Sequence, residues 1–288
     1  MKKYNGFKRI FAAVLCLCLL WSGSMSAEAA KATKAKVNYT CSEVTFDAEY
    51  YYNTYPDLQA AFGMDPSALY QHYLNFGIKE GRFGSEEFNC VTYMNNYGDL
   101  RLAFGGDYLL YCDHYEKYGK TEGRNAKEKV EVTIASDKTL LGTYTTVYDP
   151  SLERTINVTT AAERIHGIVL APGQEFSFSN AVLPRTRYNG FGMGEQISGG
   201  KIVMGIGGGI CQTASTLYAA MVGAGLPATE RYPHSLPVDY VPRHLESAIA
   251  QGYKDLKFVN IYDKNMQIEA IADNTTGTLK VSLYLIGN

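Results

Sequence analysis

Stretches of alternating apolar and polar residues recur through the second half of the chain, where their period of two predicts β-strands. They cover residues 130–134, 140–148, 175–178, 255–262, 266–272 and 278–286. Short polar turns join the last three, which predicts an antiparallel meander. A short helix is predicted at 161–166, with Thr159 or Thr160 as its N-cap, and a longer apolar helix at 212–222. Helices on a mainly antiparallel sheet make this an α+β domain.

The first half of the chain contains an internal repeat instead of strands. A shift of 42 residues aligns 46–82 with 88–124 without a gap, and sixteen of the thirty-seven aligned positions are identical. Aromatic and apolar residues at i, i+3 and i+4 predict short helices in each copy, so we expect two tandem, small all-α modules. They resemble the roughly 40-residue repeats, rich in Tyr, Asp and Gly, of bacterial secreted and surface proteins.

The N-terminus has the pattern of a signal peptide. Basic residues precede an apolar run at 10–21, and small residues follow it. We expect residues 1–30 to be removed, the protein to be secreted or cell-wall associated, and no transmembrane span to remain after cleavage. An uncleaved N-terminal anchor is the alternative interpretation. Residues 31–45 are expected to be a spacer, 125–131 a charged linker, and 132–288 the second domain.

Charge and cysteine content narrow the classes of function. The net charge is −2 and the sequence pI about 6.2, which gives no basic field for nucleic acid. Export permits disulfides. Any single pair among Cys41, Cys90 and Cys112 would cross-link the helical modules and leave one thiol over, whereas Cys211 is expected to stay free. The oligomeric state is not predicted.

One stretch, residues 205–218, has residue types that are typical of a functional site and not of a hydrophobic core. Its glycines lie between the predicted strand at 201–204 and the predicted helix at 212–222, which places Cys211 at the start of that helix. The unpaired N–H groups and the dipole of a helix N-terminus favour a thiolate. The stretch lacks the Gly-Lys-Ser/Thr ending of a phosphate loop and the cysteine pairs of a zinc site. No cofactor and no metal are predicted.

The order of residues along the chain suggests nucleophilic catalysis. A cysteine at a helix start, then a histidine, then an acid or amide is the order of papain-like and transglutaminase-like thiol enzymes. The candidates are Cys211 as nucleophile, His234 as base and Asp255 as the third member, with Asp239 and Asn260 as alternatives. The oxyanion would be bound by the N–H of Cys211 with a glycine N–H, from Gly208 or Gly209, or by the Gln212 side chain.

Long motifs of this domain lie at 170–178, 184–186, 205–218, 224–226, 230–237 and 255–258. They resemble those of the VanW family, named for an accessory protein of B-type vancomycin-resistance clusters. The resemblance implies a protein of the Gram-positive cell envelope. It marks Cys211, Gln212, Ser215, Thr216, Tyr218 and His234 as matching positions. The tandem modules lie outside the family pattern, which suggests added attachment or partner recognition.

Two hypotheses follow. The first is an exported thiol hydrolase or acyl transferase acting on a peptide of the cell wall. In it Arg185 or Arg187, from a polar loop at 183–192, binds a substrate carboxylate, and Ser215, Thr216 and Tyr218 complete the substrate site. The second is a non-catalytic envelope module that binds wall material or a protein partner, with the Gly-Cys turn serving packing alone.

Overall fold

The computed structural model describes Cys41 and residues 44–287. The expected signal peptide at 1–30 and residues 31–40 of the expected spacer lie outside the described residues. Within them the fold class predicted from the sequence is confirmed: a helical N-terminal region precedes a mixed α+β domain. No helix of this part of the chain has both the length and the apolar content to cross a membrane.

Six short α-helices lie in the described part of the N-terminal region, and most of them begin at a capping side chain or a proline. They are α1 (Ala48–Thr54), α2 (Pro56–Phe62), α3 (Pro66–His72), α4 (Cys90–Asn96), α5 (Gly98–Phe104) and α6 (Tyr108–His114). Asp47 and Asp65 cap α1 and α3 through their carboxylates, and prolines open α2 and α3. A π-helical turn extends α3 at Tyr73–Gly77 and α6 at Tyr115–Gly119.

Tyrosines fill the core of the helical region. Tyr51 and Tyr93 are fully buried. The Tyr51 hydroxyl pairs with Nδ1 of His72 at 3.0 Å, and the Tyr93 hydroxyl pairs with Nδ1 of His114 at 2.9 Å. Both half-buried histidines are therefore packed against aromatic rings and hydrogen bonded to core tyrosines. Cys41, Cys90 and Cys112 are free thiols in the same cluster, and the last two are buried.

The second domain is built on a four-stranded antiparallel sheet of order β1-β9-β8-β2. Its strands are β1 (Lys138–Val147), β2 (Val169–Leu170), β8 (Asn265–Asp273) and β9 (Thr278–Ile286). The helices α7 (Thr155–Ile165) and α9 (Ile210–Gly223) pack on this sheet through fully buried side chains such as Val158 and Leu217. A short helix, α8 (Phe178–Val182), and the 3₁₀ turns Arg187–Asn189 and Arg243–Leu245 complete the helices of the described domain.

A second, three-stranded sheet and a separate hairpin complete the strands of the described part. The sheet has the order β3-β7-β6, with β3 (Glu175–Ser177), β6 (Ala228–Glu230) and β7 (Lys257–Val259). The hairpin pairs β4 (Met193–Ser198) with β5 (Lys201–Ile206). The predicted three-stranded meander is wrong, because β7 pairs with β3 and β6 while only β8 and β9 form a hairpin. The Asn260 side chain, which donates to Leu170 O and Lys264 O, holds the turn between the two sheets.

Two other boundaries differ from the prediction. Residues 130–134 form no strand. The Gln267 side chain binds Thr133 O and Ala135 N there. The backbone hydrogen bonds of this segment are therefore made to a side chain instead of to a neighbouring strand. Helix α7 begins four residues before Thr159. The Thr159 hydroxyl bonds to the carbonyl of Thr155 within the helix instead of capping it.

A buried arginine joins the helical region to the second domain. Arg101 of α5 donates to Met94 O at 2.9 Å, to Asn95 O at 2.7 Å and to Arg164 O of α7 at 2.7 Å. Burial lowers the pKa of Arg101 to about 10. Asn180 adds a bond across the same boundary by donating to Leu102 O at 3.0 Å. The two regions are thus tied by buried polar contacts.

Candidate active site

The glycine turn connects β5 to α9, in the order predicted from the sequence. Gly207 and Gly209 have positive φ angles of 83° and 110°, which favour glycine. Gly208 is required by space, because a Cβ there would lie 2.2 Å from the carbonyl oxygen of Gly194 on β4. The turn therefore packs on the β4-β5 hairpin and presents Cys211 in the first turn of α9.

The Cys211 thiol lies against the backbone of Ile249. Its Sγ accepts from Ile249 N at 3.4 Å and is 3.8 Å from Ile249 O. The residue is partly exposed. Burial raises the pKa of the Cys211 thiol, against the opposing effects of the Ile249 amide and of Arg185 and Arg154. The thiolate expected from the helix terminus is thus not the resting state: at neutral pH the thiol carries its proton.

His234 is paired with a carboxylate that the sequence analysis did not propose. Its backbone N and its Nδ1 lie 3.0 and 3.3 Å from Oε2 of Glu246, and both residues are buried. Burial lowers the pKa of His234, although Glu246 opposes this. A carboxylate only accepts, so Nδ1 carries the proton, and Nε2 accepts from the Tyr240 hydroxyl at 3.4 Å.

Residues 246–249 bring the histidine and the thiol into one region. Glu246 binds His234, Ser247 N donates to Ser215 Oγ at 2.8 Å, and Ile249 holds the Cys211 sulfur. No hydrogen bond joins Cys211 to His234 directly in the described part of the chain. The Tyr240 hydroxyl bonds to Nε2 of His234, and the Tyr240 side chain is within electrostatic reach of Cys211.

None of the three residues considered as the third member of a triad is hydrogen bonded to His234. Asp255 accepts from Ser177 Oγ at 2.6 Å and from Ser179 N at 2.8 Å, so it stabilises the start of α8. Asn260 is fully buried in the turn described above. Asp239 is exposed. The structure therefore gives the position beside His234 to Glu246.

The backbone, and not Gln212, offers hydrogen-bond donors beside the thiol. The Gln212 amide donates to Val147 O at 2.8 Å and accepts from Arg154, so it is fully used within the fold. Gly208 N donates to Gly205 O. Among the described residues no acceptor binds the N–H groups of Gly209 and Cys211. Two unpaired amides next to a thiol have the composition of an oxyanion hole.

The residues expected to bind substrate are divided between the site and the core. Ser215 and Thr216 are fully buried, and the Thr216 hydroxyl pairs with Thr146 at 2.8 Å, so both stabilise the packing of α9 instead of facing a ligand. Tyr218 is partly exposed and stacks on Arg231. Arg185 is partly buried near Cys211, whereas Arg187 is exposed.

Comparison with known proteins identifies the domain that carries this site. Residues 153–284 match the family profile described as VanW like protein. These residues are a VanW-like domain. The uncharacterized protein YoaR of Bacillus subtilis is 36% identical over 145 residues, which cover 50% of this chain and 47% of that protein. The vancomycin B-type resistance protein VanW of Enterococcus faecalis is 26% identical over 126 residues, or 42% of this chain and 46% of that protein.

The match is limited in extent. The chain spans about half the length of these curated relatives, and no solved structure matches it.

Metal-binding groups are absent from the described residues. These residues include no group of three or more His, Cys, Asp or Glu side chains placed to hold an ion.

Glu246, Tyr240 and Arg154 are the residues of the site that the sequence analysis missed. Glu246 is twelve positions after His234, and its one signal is a lone acid among the apolar and small residues of 245–250. Tyr240 follows a proline-rich segment without any motif of its own. Arg154 precedes α7, far from the glycines in sequence, so no local pattern connects it to Cys211.

Proposed function

We propose that this protein is an exported thiol hydrolase or acyl transferase that acts on peptides of the bacterial cell wall, with Cys211 as nucleophile. The observation that carries the proposal is the pair of unpaired N–H groups, of Gly209 and Cys211, beside the thiol of a partly exposed residue. Donors fixed in advance next to a nucleophile are what acyl transfer needs, because its intermediate places negative charge on an oxygen.

The mechanism assigns each group one step. Cys211 Sγ attacks the carbonyl carbon, a C–S bond forms, and the carbonyl electron pair moves to oxygen, where the two amides bind it. The thiol proton passes to the Tyr240 oxygen while the Tyr240 proton passes to Nε2 of His234, whose other nitrogen Glu246 holds. The imidazolium then protonates the leaving amine as the C–N bond breaks, and water or a second amine cleaves the thioester.

The setting of this activity is the cell envelope. The signal-peptide pattern of residues 1–30 supports export, and the relative named as a vancomycin B-type resistance protein supports a role in glycopeptide resistance. The helical modules resemble repeats of surface proteins, so in this proposal they attach the VanW-like domain to wall material or to another envelope component.

Purified wall peptides test the proposal. The full chain is incubated with them, and mass spectrometry follows amide cleavage or transfer and an acyl adduct on Cys211. We expect turnover by the wild type and none by Cys211→Ser, because the weaker serine nucleophile lacks a base matched to it. Cys41→Ser, at the other partly exposed cysteine, is the matched control and should retain turnover. Equal turnover by Cys211→Ser contradicts the proposal.

A non-catalytic binding module is the second candidate. Two observations favour it: burial raises the pKa of the Cys211 thiol, and that thiol and His234 are not in contact. In this case the same peptides bind to the domain, remain chemically unchanged, and bind equally well to Cys211→Ser. The incubation with wall peptides therefore separates the two candidates.

A further inference from the structure

Two arginines reach the glycine turn from different parts of the chain. A Cβ at position 207 would lie 3.2 Å from Cδ of Arg185, and a Cβ at position 209 would lie 3.1 Å from Nε of Arg154. The missing side chains of Gly207 and Gly209 thus leave the space that the two arginines occupy. Both guanidinium groups act electrostatically on Cys211, four and two residues further along.

Neither arginine has an anionic partner. No ion pair among the described residues includes Arg154 or Arg185. Arg154 donates to the neutral Gln212 amide at 2.9 Å, while its Nε and the Nη1 of Arg185 are buried without any acceptor. By contrast Arg82 binds the carboxylates of both Asp57 and Glu80.

Leaving charged donors unpaired is costly. Removing a guanidinium group from water is unfavourable unless acceptors replace the lost hydration. Burial accordingly lowers the pKa of Arg185. Since both groups remain partly exposed, an anion entering from solvent beside Cys211 can supply acceptors that the fold itself does not.

We propose that Arg154 and Arg185 together bind a carboxylate of the substrate beside Cys211. The inference deepens the proposed function and rests on the same site. It specifies the substrate class: a peptide with a free carboxylate next to the amide that Cys211 attacks. Planar guanidinium groups match the geometry of a carboxylate, and two of them hold it in a fixed orientation relative to the thiol.

Two alkylating reagents that differ in charge test the site. The full chain is treated with iodoacetate, an anion, or with iodoacetamide, its neutral counterpart, and the rate at Cys211 is read from its peptide by mass spectrometry. The ratio of the iodoacetate rate to the iodoacetamide rate cancels the effect of the thiol pKa. We expect the ratio at Cys211 to exceed that at Cys41, because the arginines attract the anion.

Charge-removing variants identify the residues responsible. Arg154→Gln and Arg185→Gln should each lower the ratio at Cys211, by about tenfold for loss of a nearby charge. Arg187→Gln is the matched control, because Arg187 is two residues from Arg185 yet exposed, and its ratio should stay that of the wild type. An unchanged ratio in both Arg154→Gln and Arg185→Gln overturns the inference.

Thermal unfolding provides a readout that needs no reactive thiol. N-acetylglycine, which carries a carboxylate, should raise the Tm of the wild type and of Cys211→Ser, whereas N-acetylglycinamide should not. The rise should disappear in Arg154→Gln/Arg185→Gln. Stabilisation by inorganic phosphate in place of N-acetylglycine, or by neither compound, contradicts a carboxylate site.

The two proposals fail in distinguishable ways. One outcome is that Cys211 prefers iodoacetate and N-acetylglycine raises the Tm, while wall peptides are never cleaved or transferred. In that case the carboxylate site stands and the catalytic proposal fails. If Cys211-dependent turnover is present but both arginine variants keep the wild-type ratio, the catalytic proposal stands and the carboxylate site fails.

Discussion

At the scale of single residues, the state of His234 is set by two opposing effects. Burial lowers the pKa of its ring, and the adjacent Glu246 carboxylate raises it, with burial the larger. The ring is therefore neutral at neutral pH, with its Nδ1 proton directed to Glu246. This leaves Nε2 able to take up a proton, as a general base requires.

Glu246→Gln tests this arrangement. The pKa of His234 should fall further, because the carboxylate that opposes the effect of burial is gone. The free energy of unfolding should fall by about 1–3 kcal/mol. In the unfolded chain this histidine titrates near pH 6.5, above its pKa in the folded protein. His234 therefore destabilises the fold as pH falls from 6.5 towards its folded pKa. NMR titration and urea unfolding measure both effects.

Glu230→Gln is the control for that variant. Glu230 forms an ion pair with Lys257 at 2.7 Å in which both side chains are partly exposed, so its loss should cost less than about 1 kcal/mol. An unchanged His234 titration in Glu246→Gln would show that Glu246 does not act on the ring.

At the scale of elements, the glycine turn fixes the distance between the β4-β5 hairpin and α9. Gly208 allows the closest approach, since a Cβ there would meet Gly194 O at 2.2 Å and Glu195 O at 2.7 Å. Both atoms are backbone, so a side-chain rotation cannot relieve the collision. The position of Cys211 therefore depends on the absence of a side chain at position 208.

Gly208→Ala should destabilise the protein by about 1–3 kcal/mol or more, because the turn must move away from the hairpin. The displaced turn should also change the alkylation rate of Cys211. Gly223→Ala is the matched control: it lies at the other end of α9, where a Cβ meets nothing within 4 Å, and alanine is the better helix former. Urea unfolding in which both variants behave alike would contradict this account.

At the scale of the whole molecule, Arg101 ties the helical region to the VanW-like domain. It is buried without a carboxylate partner, and its two terminal nitrogens donate to three carbonyl oxygens, one of them on α7. The aligned residue of the first module, Gln59, donates only to Tyr52 O of its own module. The second module therefore makes the contact to the domain that the first does not.

Arg101→Ala should lower stability by at least about 2 kcal/mol, since hydrogen bonds to a charged group contribute about 1.5–3 kcal/mol each. It should also separate the unfolding of the two regions into distinct calorimetric transitions. Gln59→Ala, at the aligned position, should cost less than about 1.5 kcal/mol and keep the wild-type profile. A single unshifted transition in Arg101→Ala would show that other contacts join the regions.

Local patterns accounted for much of the fold. The helices of the first half follow from the spacing of aromatic and apolar residues, and β8, β9 and α9 follow from periodicity and from the glycines before α9. The main failure, in strand pairing, was non-local. The segment 255–262 has strand periodicity, but periodicity does not predict the strand with which a segment pairs. In the structure β7 pairs with β3 and β6.

The sequence by itself determined the strand–glycine–helix turn and the place of Cys211 in it, because these depend on neighbouring residues and on backbone angles that glycine permits. Only the tertiary structure decided that Glu246 and Tyr240 flank His234, that Arg185 and Arg154 reach the turn, and that the thiol is protonated. Pairing across distant segments and the loss of water around a group are properties of the packed chain, and they set which charges meet.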